Sequence, residues 1–174
     1  MTSPATLYLL RLLHIVVGVF WVGAVLFIAT LLMPSIRAAG PAGAAVMRHL
    51  VEGRRLPIWL MVAAIVTILS GIALYWVDSA GFQSAWLGSG PGRTFGLGGV
   101  LALAGGILGG AVNAPTARRL GEVAAGAQAA GRPPTAEEAS EIARLQSRLN
   151  RTTNVVAVLL LLAAAAMAVA RYVP

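Results

Sequence analysis

Apolar residues run along this chain in four long stretches, at about 6–33, 57–77, 94–114 and 152–172. Polar residues collect in the segments between them. A hydrocarbon core about 30 Å thick takes about 20 helical residues to cross, so the pattern predicts four membrane-spanning helices. The expected fold is all-α: an integral membrane four-helix antiparallel bundle, a single four-span domain over 1–174, with long cytoplasmic helical extensions.

Local signals set the expected boundaries. The first helix should begin near residues 4–6 and run past Met33-Pro34 towards Ala39, where Gly40-Pro41-Ala42-Gly43 signals a turn. In 44–55, Val46 and Leu50 alternate with Arg48, Glu52 and Arg55 at helical spacing. This segment reads as an inner extension of the second helix, kinked at Pro57; neighbours or water can satisfy the carbonyl that a proline frees in a membrane helix. In the next loop Phe82 and Trp86 stand four residues apart, which predicts a short turn laying both rings on the interface. The glycine-rich 88–92 reads as loop.

Past the third span, Gly131-Arg132-Pro133-Pro134 marks a break, and Thr135-Ala136-Glu137-Glu138 fits a capping box. Glu141 and Arg144 are one turn apart and suited to pair. The fourth helix is therefore expected from near 136 to about 171, and the third inward to about 128. Together they would make a hairpin over 115–151 that projects about 20 Å into the cytoplasm at 1.5 Å per residue.

The third span is the most unusual in composition. Gly98, Ala102, Gly106, Gly110 and Ala114 recur every four residues, with Gly105 and Gly109 as a second row. Small residues at this spacing, a glycine zipper, let membrane helices approach closely. The helix is expected to pack on more than one face, or against a partner protein or a second copy.

Charge changes the picture by its placement. Charged residues are only 11% of the chain and hydrophobic residues 58%, where a soluble domain carries about a quarter charged. The net charge is +7, and all 13 basic residues are arginine. Arg37, Arg48, Arg54 and Arg55 lie between the first two spans. Arg118, Arg119, Arg132, Arg144, Arg148 and Arg151 lie between the last two, which leaves Arg11, Arg93 and Arg171 for the other side. The positive-inside rule then puts loops 34–56 and 115–151 in the cytoplasm and both termini outside, in the bacterial inner (cytoplasmic) membrane. The partner of these arginines is expected to be the lipid bilayer, and no nucleic acid. Tyr8, Tyr75, Trp76, Phe95 and Tyr172 fall at outer helix ends, as an interfacial aromatic belt requires. The N-terminal stretch reads as a retained span: its apolar run is too long for a signal peptide, and it has no basic n-region.

Little in the spans can do chemistry. There is no cysteine, so disulfides, cysteine zinc sites and thiol nucleophiles are excluded. No acidic residue lies within a span, which argues against a proton-coupled transporter. Nor is there a phosphate-binding loop or a nucleophile–base pair, so catalytic residues are not expected.

His14 is the exception, about two turns from the outer end of the first helix, with Arg11 one turn further out. Arg11, His14, Gly18, Trp21 and Val25 share one helix face, and Gly18 leaves a notch beside the imidazole. An intramembrane ionisable group is costly enough to be a functional candidate. Three readings fit the residues. His14 could be an axial ligand to haem b, with Arg11 pairing a propionate. It could be a metal ligand, copper above all, with Met167 of the fourth helix as a thioether partner for either cofactor. It could instead be a packing residue bonded to a neighbouring helix, at Ser70 or Tyr75. His49 lies at the opposite depth and reads as a headgroup-level residue beside Arg48.

The run Leu13-His14-Ile15 to Phe20-Trp21-Val22-Gly23 resembles a first-helix pattern of the copper-resistance protein D (CopD) membrane superfamily and its short relatives, with a weaker continuation at Leu69-Ser70-Gly71-Ile72-Ala73-Leu74-Tyr75. HemJ-type proteins are more distantly similar. The resemblance covers about a third of the chain, and it implies copper or haem at His14. It departs from HemJ-type proteins in the third helix, which has Gly and Ala where they carry a basic residue. Two functions follow as expectations. One is a non-catalytic accessory or structural subunit packing in a larger membrane complex. The alternative is a CopD-like haem- or copper-binding protein using His14 for electron transfer or metal handling.

Overall fold

The structure, a computed structural model, describes residues 3–174. Every element among the described residues is helical. Four helices are long and apolar enough to cross a membrane: α1 (Pro4–Ala38), α3 (Leu56–Asp78), α5 (Gly90–Ala129) and α6 (Ala136–Tyr172). Between α1 and α3 lies α2 (Pro41–Arg48), continued by a wide π turn at His49–Gly53. Between α3 and α5 is the single-turn α4 (Ser84–Leu87).

The starts follow the expected chemistry. Ser3 accepts a bond from the Thr6 amide at 3.2 Å, with Pro4 in the first turn of α1. Thr135 and Glu138 form the reciprocal capping box at the head of α6, with bonds of 3.2 and 2.8 Å.

Four local expectations give way to tertiary or backbone constraints. α2 is a separate helix and not an extension of α3, because Arg55 takes a left-handed φ of 53° and Pro57 sits in the first turn of α3, where its missing N–H costs nothing. Residues 90–92 belong to α5: Ser89 caps the helix by accepting from the Gly92 amide at 3.2 Å. Phe82 and Trp86 do not share a helical turn, since Phe82 has φ 65° and only Trp86 lies in α4. Phe82 stacks edge-on against Trp76 at 4.9 Å and Trp86 against Tyr75 at 5.1 Å. Finally, Glu141 pairs with Arg119 across the hairpin at 2.9 Å rather than with Arg144.

Two of the long helices carry a π turn just ahead of a proline. Ile28–Leu32 precedes Met33-Pro34, and Gly109–Asn113 precedes Ala114-Pro115. A proline ring collides with the carbonyl four residues back. The turn accommodates this by switching to bonds five residues apart, Met33 to Ile28 and Ala114 to Gly109.

The core is thin. Trp21, Val25 and Ala29 of α1, Ala63 of α3, and Val156, Ala157 and Leu160 of α6 form the central cluster. Large apolar side chains instead cover the outside, with Leu9, Val19, Trp59 and Val100 all more than 60% exposed. The accessible surface is 10742 Å², against about 8000 Å² for a compact soluble chain of this mass.

The α5–α6 and α1–α3 pairs make the most extensive contacts. Glycine sets the first of these. A methyl group added at Gly98 would lie 2.9 Å from Met167 Cγ and 3.1 Å from the Ala163 carbonyl oxygen, and one at Gly105 would lie 3.1 Å from Leu160 Cδ2. At the far end of this seam Asn113 bonds both Thr153, at 3.3 Å, and Thr152.

Beyond the apolar stretches the helices continue as a polar hairpin. It is tied by Arg119–Glu141 and by Arg132–Glu138 at 2.7 Å. The bond from Arg132, and then that from the Thr135 amide, push the Glu138 carboxyl down to about 2. A folded value below the unfolded one adds stability that is full above the ordinary carboxylate range near 4.5 and is lost as pH falls towards 2. Protection of the first-turn amides of α6, taken relative to their intrinsic exchange rates, is therefore expected to fall between about pH 4.5 and 2. Glu138→Gln should flatten that dependence in hydrogen-exchange measurements; an unchanged profile would show that another group governs it.

Candidate functional site at the α1–α3 interface

The face of α1 that carries Arg11, His14, Gly18, Trp21 and Val25 turns inward. Trp21 and Val25 enter the core. The three residues above them meet α3.

Arg11 donates to Asp78 at 2.8 Å. Asp78 is the last residue of α3, and both side chains are about a third exposed, 33% and 30%. A partly solvated pair of this kind contributes roughly 1 kcal/mol or less. Its larger consequence is positional: it occupies the guanidinium considered for a propionate.

His14 is half-buried one turn below. Its Nδ1 lies 2.9 Å from the Thr67 carbonyl oxygen and 3.1 Å from Ser70 Oγ. A carbonyl only accepts, so Nδ1 carries the proton. The Ser70 hydroxyl is itself donated to the Val66 carbonyl at 2.6 Å, which leaves its oxygen free to accept from His14. With Nδ1–H committed, the neutral ring keeps its lone pair on Nε2. This is the arrangement by which a backbone carbonyl orients an imidazole for ligation through Nε2. The bond to Ser70 is among those the sequence suggests; Tyr75 instead donates to the Gly92 carbonyl at 2.9 Å, tying α3 to α5.

Glycine makes room for the ring. A methyl added at Gly71 would stand 2.9 Å from His14 Cε1, and one at Gly18 would stand 3.4 Å from Thr67 Cγ2. Thr67 Oγ1, beside this notch, is buried without a hydrogen-bond partner among the described residues.

Comparison with protein-family models, with characterised proteins and with solved structures finds no match. What the site can do must therefore be read from its own groups.

Met167 packs against Gly98 of α5, whereas His14 packs against Gly71 of α3, so the two side chains turn to different neighbours. No group of three His, Cys, Asp or Glu side chains comes together among the described residues to hold a metal ion. His14 by itself offers a single nitrogen ligand.

His49 lies in the π turn, its ring against Gly53, in a shallow groove with Arg48 and Glu52. Arg48 reaches Gln128 at the end of α5, at 2.7 Å.

The glycine-rich helix divides its small residues between two surroundings. Gly98 and Gly105 pack on α6, Gly106 packs on Ile68 and Trp21, and Ala102 borders the core. A methyl added at Gly99, Gly109 or Gly110 would meet nothing beyond its own helix within 4 Å among the described residues. Gly110, Ala111 and Ala114 leave a flat exposed patch on α5.

Sequence reasoning missed three members of the α1–α3 site. Thr67 acts through its backbone, which no side-chain pattern reveals. Gly71 matters for what it lacks. Asp78 was legible in principle: it is the one acidic residue outside loops 34–56 and 115–151, opposite three arginines.

Proposed function

We propose that this chain is a four-span, antiparallel membrane bundle that serves as a non-catalytic accessory or structural subunit, docking through the outward face of α5. Large exposed apolar side chains such as Leu9 and Val100 support a lipid surround. Contacts in which residue numbers rise on one helix and fall on its neighbour support the antiparallel order: Arg11 with Asp78 and Gly18 with Thr67, then Gly98 with Met167 and Gly105 with Leu160. Ten arginines against three support cytoplasmic loops 34–56 and 115–151.

One observation carries the subunit reading: after α5 has met α3 and α6, an added methyl at Gly109 or Gly110 would still stand in open space among the described residues. A flat backbone patch exposed to lipid gains van der Waals contact when another helix covers it. Gly110→Leu is expected to leave folding intact and abolish recovery of a partner, or of a second tagged copy, in mild-detergent pull-downs. Recovery equal to the unsubstituted chain would refute the reading.

A second reading rests on His14. The proton fixed on Nδ1 leaves Nε2 able to ligate haem iron or copper, and the resemblance of the first helix to CopD-like proteins points the same way. Among the described residues His14 would be the one protein ligand there, since Arg11 is engaged by Asp78 and Met167 by the α5 seam. A bound haem or copper would supply one-electron chemistry. The chain's part would be to orient the imidazole through Thr67 and Ser70. An absorption spectrum with metal analysis tests it: a Soret band or stoichiometric copper lost in His14→Ala and weakened in Gly71→Ala establishes the site. A colourless, metal-free protein purified under haem-retaining conditions rejects it.

A further inference from the structure

α6 carries an exposed amphiphilic stripe that neither reading uses. Arg151, Asn154, Val155, Val158 and Leu159 form it. The polar end is Arg151 and Asn154, both exposed, with Arg148 also exposed one turn before. The remainder is apolar, and Val155, Val158 and Leu162 on the same face are 44, 56 and 51% exposed. Steps of three and four residues from Arg148 to Leu162 keep these side chains on one stripe.

The dimensions suit one leaflet of lipid. Eleven residues separate Arg151 from Leu162, about 16 Å along the helix. Half of a hydrocarbon core is about 15 Å. A molecule with an anionic head at Arg151 and a chain along Val155 to Leu162 would match the stripe end to end.

Charge selects the head. Arg118, Arg119 and Arg132 of the hairpin each have a glutamate partner, but Arg148 and Arg151 have no carboxylate within 4.0 Å among the described residues. Two guanidiniums one turn apart, with an amide beside them, offer forked donors to phosphate oxygens. A second copy is a poorer occupant, because a two-fold contact through this face would set Arg151 against Arg151.

We infer that this stripe on α6 binds an anionic phospholipid, its phosphodiester held by Arg151, Arg148 and Asn154 and one acyl chain lying on Val155, Val158 and Leu159. The inference rests on the membrane-spanning reading. It makes the hairpin end of α6 a lipid-selective anchor, distinct from the open patch on α5.

The test is native mass spectrometry of the full chain in mild detergent, with equal amounts of phosphatidylglycerol and phosphatidylcholine. Retention of phosphatidylglycerol over phosphatidylcholine is expected. Arg151→Gln should lower it about fivefold, the weight of one arginine at a lipid surface. Arg151→Lys should keep most of it, and Arg93→Gln should change nothing. Equal retention of the two lipids, an unaffected Arg151→Gln variant, or a dimer in place of bound lipid would each overturn the site. Alkaline carbonate extraction separates this failure from the deeper one: a chain released from membranes refutes the membrane-spanning reading itself, while a retained chain without lipid preference refutes only the lipid stripe.

Discussion

Gly98→Leu is expected to disrupt the fold, while Gly99→Leu, one residue away, leaves it intact. The two glycines look alike in sequence and stand about 100° apart around α5. At Gly98 the first added carbon would already press on the Ala163 carbonyl oxygen at 3.1 Å and Met167 Cγ at 2.9 Å. Met167 can swing away, but the carbonyl belongs to the α6 backbone, so the helices themselves must separate. At Gly99 nothing lies within 4 Å of the same carbon. Overpacking a closed contact costs about 1–3 kcal/mol, and a backbone clash on the most extensive seam of the fold puts Gly98→Leu at the top of that range. About 3 kcal/mol lowers the folded-to-unfolded ratio by about two orders of magnitude. Thermal unfolding in detergent, followed by size-exclusion chromatography, measures it. Equal loss in both variants would mean that α5 does not meet α6 through Gly98.

Trp21→Ala carries the second large effect, with Trp59→Ala as its counterpart. Both tryptophans lie in apolar spans. Trp21 is 4% exposed in the central cluster and Trp59 is 62% exposed on α3. Removing a buried tryptophan from a water-soluble core costs about 3–5 kcal/mol. On the proposed membrane-spanning reading the transfer part of that cost shrinks, because the surroundings of the unfolded helices are also apolar. The lost packing remains: Trp21 reaches across the bundle to the Gly106 position of α5, where an added methyl would lie 3.7 Å from its ring. A loss of about 2–3 kcal/mol is expected for Trp21→Ala, and a change within about 0.5 kcal/mol for Trp59→Ala. Similar losses would place the core elsewhere.

Helix number and extent were legible because span length is set by composition: α1, α5 and α6 end within two residues of their expected inner or outer limits at Ala38, Ala129 and Tyr172. The capping box at Thr135 was legible because its chemistry is local. The inward face of α1 was legible because the inward residues recur every three or four positions.

Orientation around α5 was not legible. Its apolar and small residues surround the helix almost evenly, so no stripe distinguishes Gly98 from Gly99 or Gly105 from Gly109. Hydrophobic periodicity loses its force where both the protein interior and its surroundings are apolar. On the proposed membrane-spanning reading the same reasoning covers Trp21 and Trp59, whose side chains would meet apolar surroundings whether they face inward or outward.

At the candidate site, the identity of the ionisable group came from the sequence, and its chemical state came from the fold. His14 stands out because an imidazole in an apolar span is costly. That its Nδ1 donates to Thr67, that Ser70 accepts beside it, and that Gly71 leaves space for the ring depend on α3 passing at one register and rotation. Arg11 likewise carries its charge in the sequence, and the same register delivers it to Asp78.

Residue order alone dictates the four long apolar helices, the capping box of α6 and the asymmetry of charge along the chain. These follow from local backbone chemistry and from the length that composition imposes. Helix packing sets which glycines meet a neighbour, which nitrogen of His14 is free and which arginines lack a carboxylate among the described residues. Each of these is a contact between segments far apart in the chain, set by the rotation and register of whole helices, which local composition does not encode.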